Sequence, residues 1–346
     1  MQRAQLTDAV HVSYIDTWAD HNPTKAYTTI IGLHGTGYNS NAWLKPFEFT
    51  KTSDSVRFIA YNQRSYAGST PQFDIKEPAG VDATGAYLED LVRFIAWTVD
   101  ELKLPPYDVE TGRGGLILLG WSKGTVLLFA LLATLHGSPS SPTAFTGHIN
   151  LSERDLSVIQ SHVRTVLMFE PPGSALARPV TDDFKTQMAH VAPPNTPTPT
   201  EYAEAFARWI SGWSTKPANL TEERLPGAEA WEAECCLHGF AWRLSSNPQE
   251  LLQIAKTALC PSSGVAIPIG IMYGSNTVEY CLDSSSVIQK WWGVSPNEKG
   301  QARVTRVGKT AVRAIAHQNH FAFENDPQQF VEVLTDILQE LSPGAM

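Results

Sequence analysis

A pentapeptide in the middle of the chain constrains the fold more than any other segment. Residues 120–124 read Gly-Trp-Ser-Lys-Gly, between a continuous apolar run at 115–119 and an apolar stretch at 125–135. The flanking runs predict a buried strand and a buried helix. Glycines two residues on either side of Ser122 let the strand and the helix approach closely, while the turn holds the serine in a strained backbone geometry. The pattern predicts a nucleophilic serine, and its alternative interpretation is a serine that caps the helix.

Strand-like and helix-like segments alternate through most of the remaining sequence. Short β-branched or apolar runs end in polar loops, whereas longer stretches repeat apolar residues at helical spacing. Strands are predicted at 27–32, 56–61, 163–169, 265–273 and around 302–307, and helices at 85–104, 284–292 and 327–341. This alternation favours a largely parallel sheet with helices on both faces, which is the α/β class.

The pattern changes after residue 173 and returns at residue 262. The intervening segment contains a stretch rich in proline and threonine and two helix-like stretches, at 192–200, 201–213 and 227–237. We therefore predict a core formed by residues 1–173 and 262–346, with residues 174–261 inserted as a helical cap.

Charge and cysteine content disfavour several classes of partner. The chain has 346 residues, and its 26 Lys or Arg and 35 Asp or Glu give a net charge of −9, which provides no basic surface for nucleic acid. No stretch reaches the roughly 18 uninterrupted apolar residues of a membrane span, and the first residues contain no secretory apolar run. We expect a cytoplasmic protein with a small-molecule partner, no membrane association and four reduced, mostly buried cysteines.

Two loops after predicted strands extend the pattern around Ser122. Residues 34–37 read His-Gly-Thr-Gly, and residues 62–69 read Asn-Gln-Arg-Ser-Tyr-Ala-Gly-Ser. With the Gly-x-Ser-x-Gly turn, these loops resemble the α/β-hydrolase family of capped serine hydrolases, whose second loop usually has Asp where this chain has Asn62. The resemblance implies the α/β-hydrolase fold, with Ser122 as the nucleophile.

The resemblance also implies an oxyanion hole. Acyl transfer needs two donors aimed at the developing negative charge, and each such donor is worth about 3 kcal/mol of the barrier. By analogy with the family, we expect these donors to be the backbone N–H groups of Lys123 and of Thr36 or Gly37. The Lys123 side chain itself is expected to point to solvent.

A histidine near the end of the chain is the expected base. Residues 319–327 read Asn-His-Phe-Ala-Phe-Glu-Asn-Asp-Pro, and they resemble the family segment His-Phe-x-x-x-Glu-x-Pro, which assigns the base to His320. His317 is the competitor. The His-x-x-His pair could indicate a metal, but no further ligands follow at a convincing spacing, so neither a metal nor a cofactor is expected.

The acid departs from the usual family position. Members usually carry Asp in a Gly-x-x-Asp arrangement after the strand that precedes residue 274, whereas residues 274–277 here read Gly-Ser-Asn-Thr. Glu170 directly follows an earlier predicted strand, where a subset of the family places its acid, and it preserves the order Ser, acid, His. Glu279 and Asp283 are the alternatives, and in that case Glu170 would be an edge residue paired with an arginine.

The function that follows is acyl transfer. Hydrolysis of a carboxylic ester or lactone of an apolar or aromatic small molecule is the simplest outcome, and its pocket is expected to include Gly35, Tyr38, Trp121 and Phe321. A dry site beneath an aromatic cap would instead favour attack by an internal hydroxyl, as in a lactone-forming cyclase or isomerase. A third alternative is a non-catalytic ligand receptor on a hydrolase scaffold. The sequence leaves the oligomeric state open.

Overall fold

An eight-stranded sheet organises the protein. The computed structural model describes residues 1–18, 26–66, 68–71, 83–136, 151–178, 248–260, 267–294 and 309–342. The strands are β1 (Gln2–Gln5), β2 (His11–Asp16), β3 (Thr28–Leu33), β4 (Val56–Tyr61), β5 (Leu116–Trp121), β6 (Val163–Phe169), β7 (Ile269–Gly274) and β8 (Thr310–Ile315). They lie in the order β1-β2-β4-β3-β5-β6-β7-β8. The pairs β1/β2 and β2/β4 are antiparallel, and all other pairs are parallel.

Helices cover both faces of the sheet. In the described residues they are α1 (Ala83–Glu101), α2 (Gly124–His136), α3 (Glu153–His162), α4 (Pro248–Leu259), α5 (Glu279–Trp291), α6 (Ala322–Asn325) and α7 (Pro327–Leu341). Side chains of β5 alternate between two hydrophobic clusters: Leu116 and Leu118 pack in the cluster that includes α1 to α5, whereas Ile117 and Leu119 pack in the cluster that includes α7. Because both faces are covered, all six residues of β5 are buried.

The predicted α/β class and the mostly parallel sheet are confirmed. The predicted ends of β4, β6 and α7 match the structure. The short strands β1 and β2 were not predicted, because antiparallel strands with mixed polarity lack the apolar run of the inner strands. None of the described helices has the length and apolar content needed to cross a membrane.

Three predicted segments lie outside the described residues: the helices at 201–213 and 227–237 and the strand around 302–307. The last described strand, β8, follows at Thr310–Ile315. At the other end of the expected cap, α4 packs against α2, and its Ile254 and Ala258 belong to the same cluster as Leu127. The division into core and cap stays a prediction.

The sheet brings distant parts of the sequence to one edge. Four neighbouring parallel strands, β5 to β8, end at this carboxyl edge, and their backbone hydrogen bonds continue one residue beyond the strands. Ser122 N–H donates to Phe169 at 2.9 Å, and Glu170 N–H donates to Met272 at 2.9 Å. The residues that follow β5 and β6 are therefore fixed side by side by the ladder itself.

A buried ion pair holds the loop that follows β4. The Arg64 guanidinium donates to both carboxylate oxygens of Asp90 on α1, with distances of 2.5 and 2.8 Å, and the two side chains are 2% and 1% exposed. Tyr87 O–H, one turn earlier on α1, donates to the Arg64 carbonyl at 3.2 Å. The paired charges fasten this loop against the sheet, next to the residues described below.

We expect Asp90→Asn to lower the free energy of unfolding by about 3 to 5 kcal/mol, because the change leaves the buried Arg64 charge without its partner. The matched control is Asp100→Asn on the same helix, which removes the exposed pair with Arg154 and should cost no more than about 1 kcal/mol. Urea denaturation of both variants measures the free energies of unfolding. Equal losses in the two variants would contradict a larger contribution from the buried pair of Arg64 and Asp90.

Candidate active site

Ser122 lies in the sharp turn between β5 and α2. Its φ of 52° is in the left-handed region, which strains a residue with a side chain and costs of order 1 kcal/mol. A Cβ on Gly120 would lie 3.0 Å from Gly124 backbone atoms, and a Cβ on Gly124 would lie 2.7 Å from the Leu33 carbonyl oxygen. The two glycines therefore permit the close strand-helix approach that the sequence predicted, and the turn holds Ser122 at the carboxyl edge.

His320 and Glu170 meet beside this turn. His320 Nδ1 lies 3.2 Å from Glu170 Oε2, and both side chains are buried. Because a carboxylate oxygen only accepts, the proton of this hydrogen bond sits on Nδ1, which leaves Nε2 as the basic nitrogen. Trp121, the residue before Ser122, donates its indole N–H to the His320 carbonyl at 3.1 Å. The imidazole is thus held next to the turn that carries Ser122.

Glu170 is held through its backbone conformation and through both oxygens of its carboxylate. The residue is fully buried and, like Ser122, adopts a left-handed backbone conformation, with φ at 57°. Its Oε1 accepts the backbone N–H of Gly274 at 2.6 Å, and its Oε2 accepts the hydroxyl of Thr277 at 2.6 Å. These two donors satisfy the oxygens of a carboxylate that is shielded from water.

The contact between Thr277 and Glu170 was not predicted from the sequence. In the sequence, Asn276 and Thr277 stand out only because they lack the charge of the usual family acid. The structure places the Thr277 hydroxyl on the carboxylate of Glu170 instead. The signal in the sequence is that Thr277 occupies the last position of the Gly-x-x-Asp arrangement.

The structure does not bring the competing residues to this cluster. Asp283 on α5 is partly exposed and pairs with Arg178 at 2.7 Å. Glu279 is exposed in the first turn of α5. His317 is exposed, and its backbone N–H donates to the Ser275 hydroxyl at 2.8 Å. Of the candidate acids and bases, Glu170 and His320 are the pair in contact.

A cysteine thiol also touches the pair. Cys281 Sγ lies 3.8 Å from His320 Nδ1 and 3.7 Å from the Glu170 carbonyl oxygen. Burial and the nearby Glu170 carboxylate raise the pKa of Cys281 well above its usual value, so the group stays a neutral thiol at neutral pH. Cys260, by contrast, is exposed, which corrects the expectation of mostly buried thiols for this residue.

Glu170, Cys281 and His320 have ligand atoms within 4.8 Å of one another, a spacing that a metal ion could bridge. Both oxygens of Glu170 already accept hydrogen bonds of 2.6 Å, and the thiol is protonated. A metal would have to displace the proton on Cys281 and the donors on Glu170. The contacts that Glu170 and Cys281 already make therefore compete with a metal, and the absence of a metal stays a prediction.

The loop after β3 packs directly on the serine turn. A Cβ on Gly35 would lie 3.0 Å from the Cβ of Ser122. Burial lowers the pKa of His34 to about 4, so its ring is neutral, and its Nε2 accepts the backbone N–H of Gln63 at 3.2 Å. Gly37 N–H donates to the Tyr66 hydroxyl at 3.3 Å. Because Gly37 N–H is engaged in this way, Thr36 is the better of the two donor candidates in this loop.

Three aromatic residues predicted to line the pocket cluster around His320. The ring centroids of Trp121 and His320 are 5.4 Å apart. The ring centroids of Tyr38 and Phe321 lie 4.9 and 5.7 Å from the ring centroid of Trp121. All three side chains are less than 5% exposed. They support the imidazole through packing, and their contact with a substrate stays a prediction.

The Lys123 side chain differs from its expected position. Instead of pointing to open solvent, it is partly buried and lines a narrow cleft with Gly35, Thr36, Tyr66 and Tyr87. Loss of hydration in this cleft lowers the pKa of Lys123 from its ordinary 10.5 to about 7. The amine next to Ser122 therefore changes charge near neutral pH.

We expect Lys123→Met to stabilise the protein more at pH 6 than at pH 9. The unfolded chain binds a proton at this amine below pH 10.5, whereas the folded chain binds it only below about pH 7, so the folded state bears a penalty that is complete below pH 7 and fades as the pH rises to 10.5. Because water screens a partly exposed amine, we expect a difference of about 1 to 2 kcal/mol.

Urea denaturation at the two pH values measures this effect. Lys290→Met, at an exposed position in the last turn of α5, is the control and should show no pH-dependent gain. An equal gain for Lys123→Met at both pH values would contradict the lowered pKa.

Comparison with known proteins identifies the fold. Neither a protein-family model nor a curated protein matches the sequence. The structure is similar to an esterase from Thermogutta terrifontis, with 14% identity over 99% of this chain and 100% of that chain and a TM-score of 0.54. It is similar to an esterase from Rhodococcus sp. ECU1013, with 14% identity over 98% of each chain and a TM-score of 0.58. It is also similar to an enol-lactonase from Burkholderia xenovorans LB400, with 13% identity over 97% of this chain and 99% of that chain and a TM-score of 0.56.

The chain has the α/β-hydrolase fold. The eight-stranded, mostly parallel sheet and its strand-turn-helix at Ser122 agree with structures that align over nearly the whole of this chain. The fold predicted from the residues around Ser122 and His320 is confirmed.

Proposed function

We propose that this protein is a serine hydrolase that cleaves a carboxylic ester or lactone. The observation that carries the proposal is the buried hydrogen bond between Glu170 and His320, held next to a serine in a strained turn at the carboxyl edge of the sheet. A nucleophile, a base and an acid that orients the base are the components of acyl transfer through a serine. The similar structures include esterases and an enol-lactonase, which supports the same class of reaction.

The proposed reaction passes through an acyl-enzyme. Ser122 gives its proton to Nε2 of His320 and attacks the substrate carbonyl, while Glu170 stabilises the imidazolium through Nδ1. His320 then gives the proton to the leaving alcohol. A water molecule, activated by the same imidazole, attacks the acyl group and frees Ser122.

Two backbone N–H groups are proposed to hold the oxyanion. Lys123 directly precedes α2, so its N–H lies at the positive end of the helix dipole, which favours negative charge. Thr36 provides the second N–H from the loop that packs on Ser122. Donors fixed by a helix and by a packed loop need no rearrangement when the charge develops.

The substrate is proposed to be a small apolar or aromatic ester. Trp121, Tyr38 and Phe321 provide aromatic surface next to His320, and the neutral His34 adds no charge to the neighbouring loop. An apolar acyl or aryl group fits such surroundings better than a strongly hydrated one.

We expect a fluorophosphonate probe to label the wild-type protein at Ser122, because the probe reacts with serines whose proton is removed by a neighbouring base. Ser122→Ala should not be labelled, and peptide mass spectrometry identifies the modified residue. Folded wild-type protein that stays unlabelled would contradict the proposal and would favour a ligand receptor.

We expect Glu170→Gln to slow labelling by about 10²- to 10⁴-fold, because an amide at this position no longer stabilises the imidazolium or its correct tautomer. Asp283→Asn is the matched control, since it neutralises a carboxylate that pairs with Arg178 on the protein surface. Its labelling rate should stay close to that of the wild type. A slow Asp283→Asn with a fast Glu170→Gln would reverse the assignment of the acid.

We expect a lactone probe such as dihydrocoumarin to be opened with gain of one water. In H₂¹⁸O the heavy oxygen should appear in the product carboxylate, because water attacks the acyl-enzyme. Mass spectrometry of the product, with Ser122→Ala as the control, measures this. A wild-type protein that is labelled by the fluorophosphonate, opens no lactone or ester, and instead closes a hydroxy ester without gain of water would be a cyclase.

A further inference from the structure

The turn between β7 and α5 contributes more to the site than the sequence pattern indicates. Residues 274–277 contain no carboxylate, yet two groups of this turn bind Glu170, one on each carboxylate oxygen. Gly274 N–H binds Oε1, and the Thr277 hydroxyl binds Oε2, which is the oxygen that also faces His320 Nδ1. The turn therefore controls the orientation of the carboxylate.

We propose that Thr277 is a positioning residue of the hydrolytic site, whose hydroxyl holds the Oε2 atom of Glu170 against the imidazole of His320. This inference rests on the proposed function. It adds a fourth side chain to the serine, histidine and acid, one that touches neither the substrate nor the reacting atoms.

The length of the Glu170 side chain explains why such a residue is needed. Glutamate has one more rotatable bond than aspartate, so its carboxylate can leave a hydrogen bond in more ways. The left-handed backbone at Glu170 fixes where the side chain begins, and the two donors of the turn fix where it ends. Since the Thr277 hydroxyl has a single proton and Oε2 can only accept, this proton is committed to the carboxylate.

The turn is also tied to the segment that carries His320. Ser275 N–H donates to the Ile315 carbonyl at 3.0 Å, and Asn276 N–H donates to the Gln318 carbonyl at 2.8 Å. A Cβ on Gly274 would lie 2.3 Å from the Gln318 carbonyl oxygen, so glycine permits this close approach. The same four-residue turn thus holds both the acid and the loop that delivers the base.

The Cys281 thiol shows what the Thr277 contact prevents. Its Sγ lies 3.8 Å from His320 Nδ1, which is the nitrogen that also binds the Glu170 carboxylate. A neutral thiol cannot stabilise an imidazolium as a carboxylate does. By holding Oε2 in place, Thr277 keeps the carboxylate as the closer partner of Nδ1, at 3.2 Å against 3.8 Å for the sulfur.

The test removes the Thr277 hydroxyl from this turn. Thr277→Val keeps the shape and removes the donor, and we expect it to slow fluorophosphonate labelling by about 10- to 100-fold, as expected for a displaced reacting group. Thr277→Ser restores the donor and should restore the rate. The matched control lies outside this turn: Thr52→Val removes an exposed threonine hydroxyl that donates to the Phe49 carbonyl before β4, and its labelling rate should stay close to that of the wild type.

A second measurement separates positioning from a merely structural role. Proton NMR detects an imidazole N–H bound to a carboxylate as a far-downfield resonance, which should be present in the wild type and in Thr277→Ser and lost in Thr277→Val. If Thr277→Val does not fold, Thr277→Ala takes its place in both measurements. Wild-type labelling rate and an unchanged resonance in the folded variant would overturn the inference.

The two measurements also separate this inference from the proposed function. An unlabelled wild type whose downfield resonance depends on the Thr277 hydroxyl would refute the hydrolase and leave the positioning role standing. A labelled wild type with a Thr277→Val variant that reacts equally fast would refute the positioning role and leave the hydrolase standing.

Discussion

The site depends on the continuation of the parallel backbone ladder beyond the ends of the strands. Hydrogen bonds from Ser122 to Phe169 and from Glu170 to Met272 fix each residue to the neighbouring strand at the point where its side chain leaves the sheet. Parallel strands all have their carboxyl ends at one edge of the sheet. Residues that are far apart in sequence therefore meet at this edge because of the strand direction alone. What the loops must then provide is orientation.

That orientation comes from strained or tightly packed backbone. Ser122 and Glu170 both adopt left-handed conformations, which a covered sheet and close glycine contacts enforce. Hydrogen bonds reinforce this backbone: the carboxylate of Glu170 has two donors besides His320, and Asn62 accepts Ser40 N–H at 2.6 Å and donates to the Ser13 hydroxyl at 2.8 Å. Asn62, which departs from the family pattern, thus still links the loop after β4 to β2 and to the backbone at Ser40.

Much of this arrangement could be predicted from the sequence because it follows from local patterns. The inner strands are buried on both faces, so β4 and β6 appear as predominantly apolar runs with one arginine each, and the glycines around Ser122 mark a turn that few other residues allow. The role of Thr277 could not be predicted in this way. Its partner Glu170 lies 107 residues earlier, and a hydroxyl carries no signal until the fold places it beside a carboxylate.

The proximity of Glu170 and His320 has a consequence for how the molecule is made. They are 150 residues apart, and the histidine follows β8, which is the outermost strand at its end of the sheet and the last of the described strands in sequence. Contacts across such a separation require closure of a long loop and form slowly. A nascent chain can therefore bury much of the hydrophobic interior around β3 to β6 before the histidine is made, and the proposed base reaches its acid only after β8 has emerged.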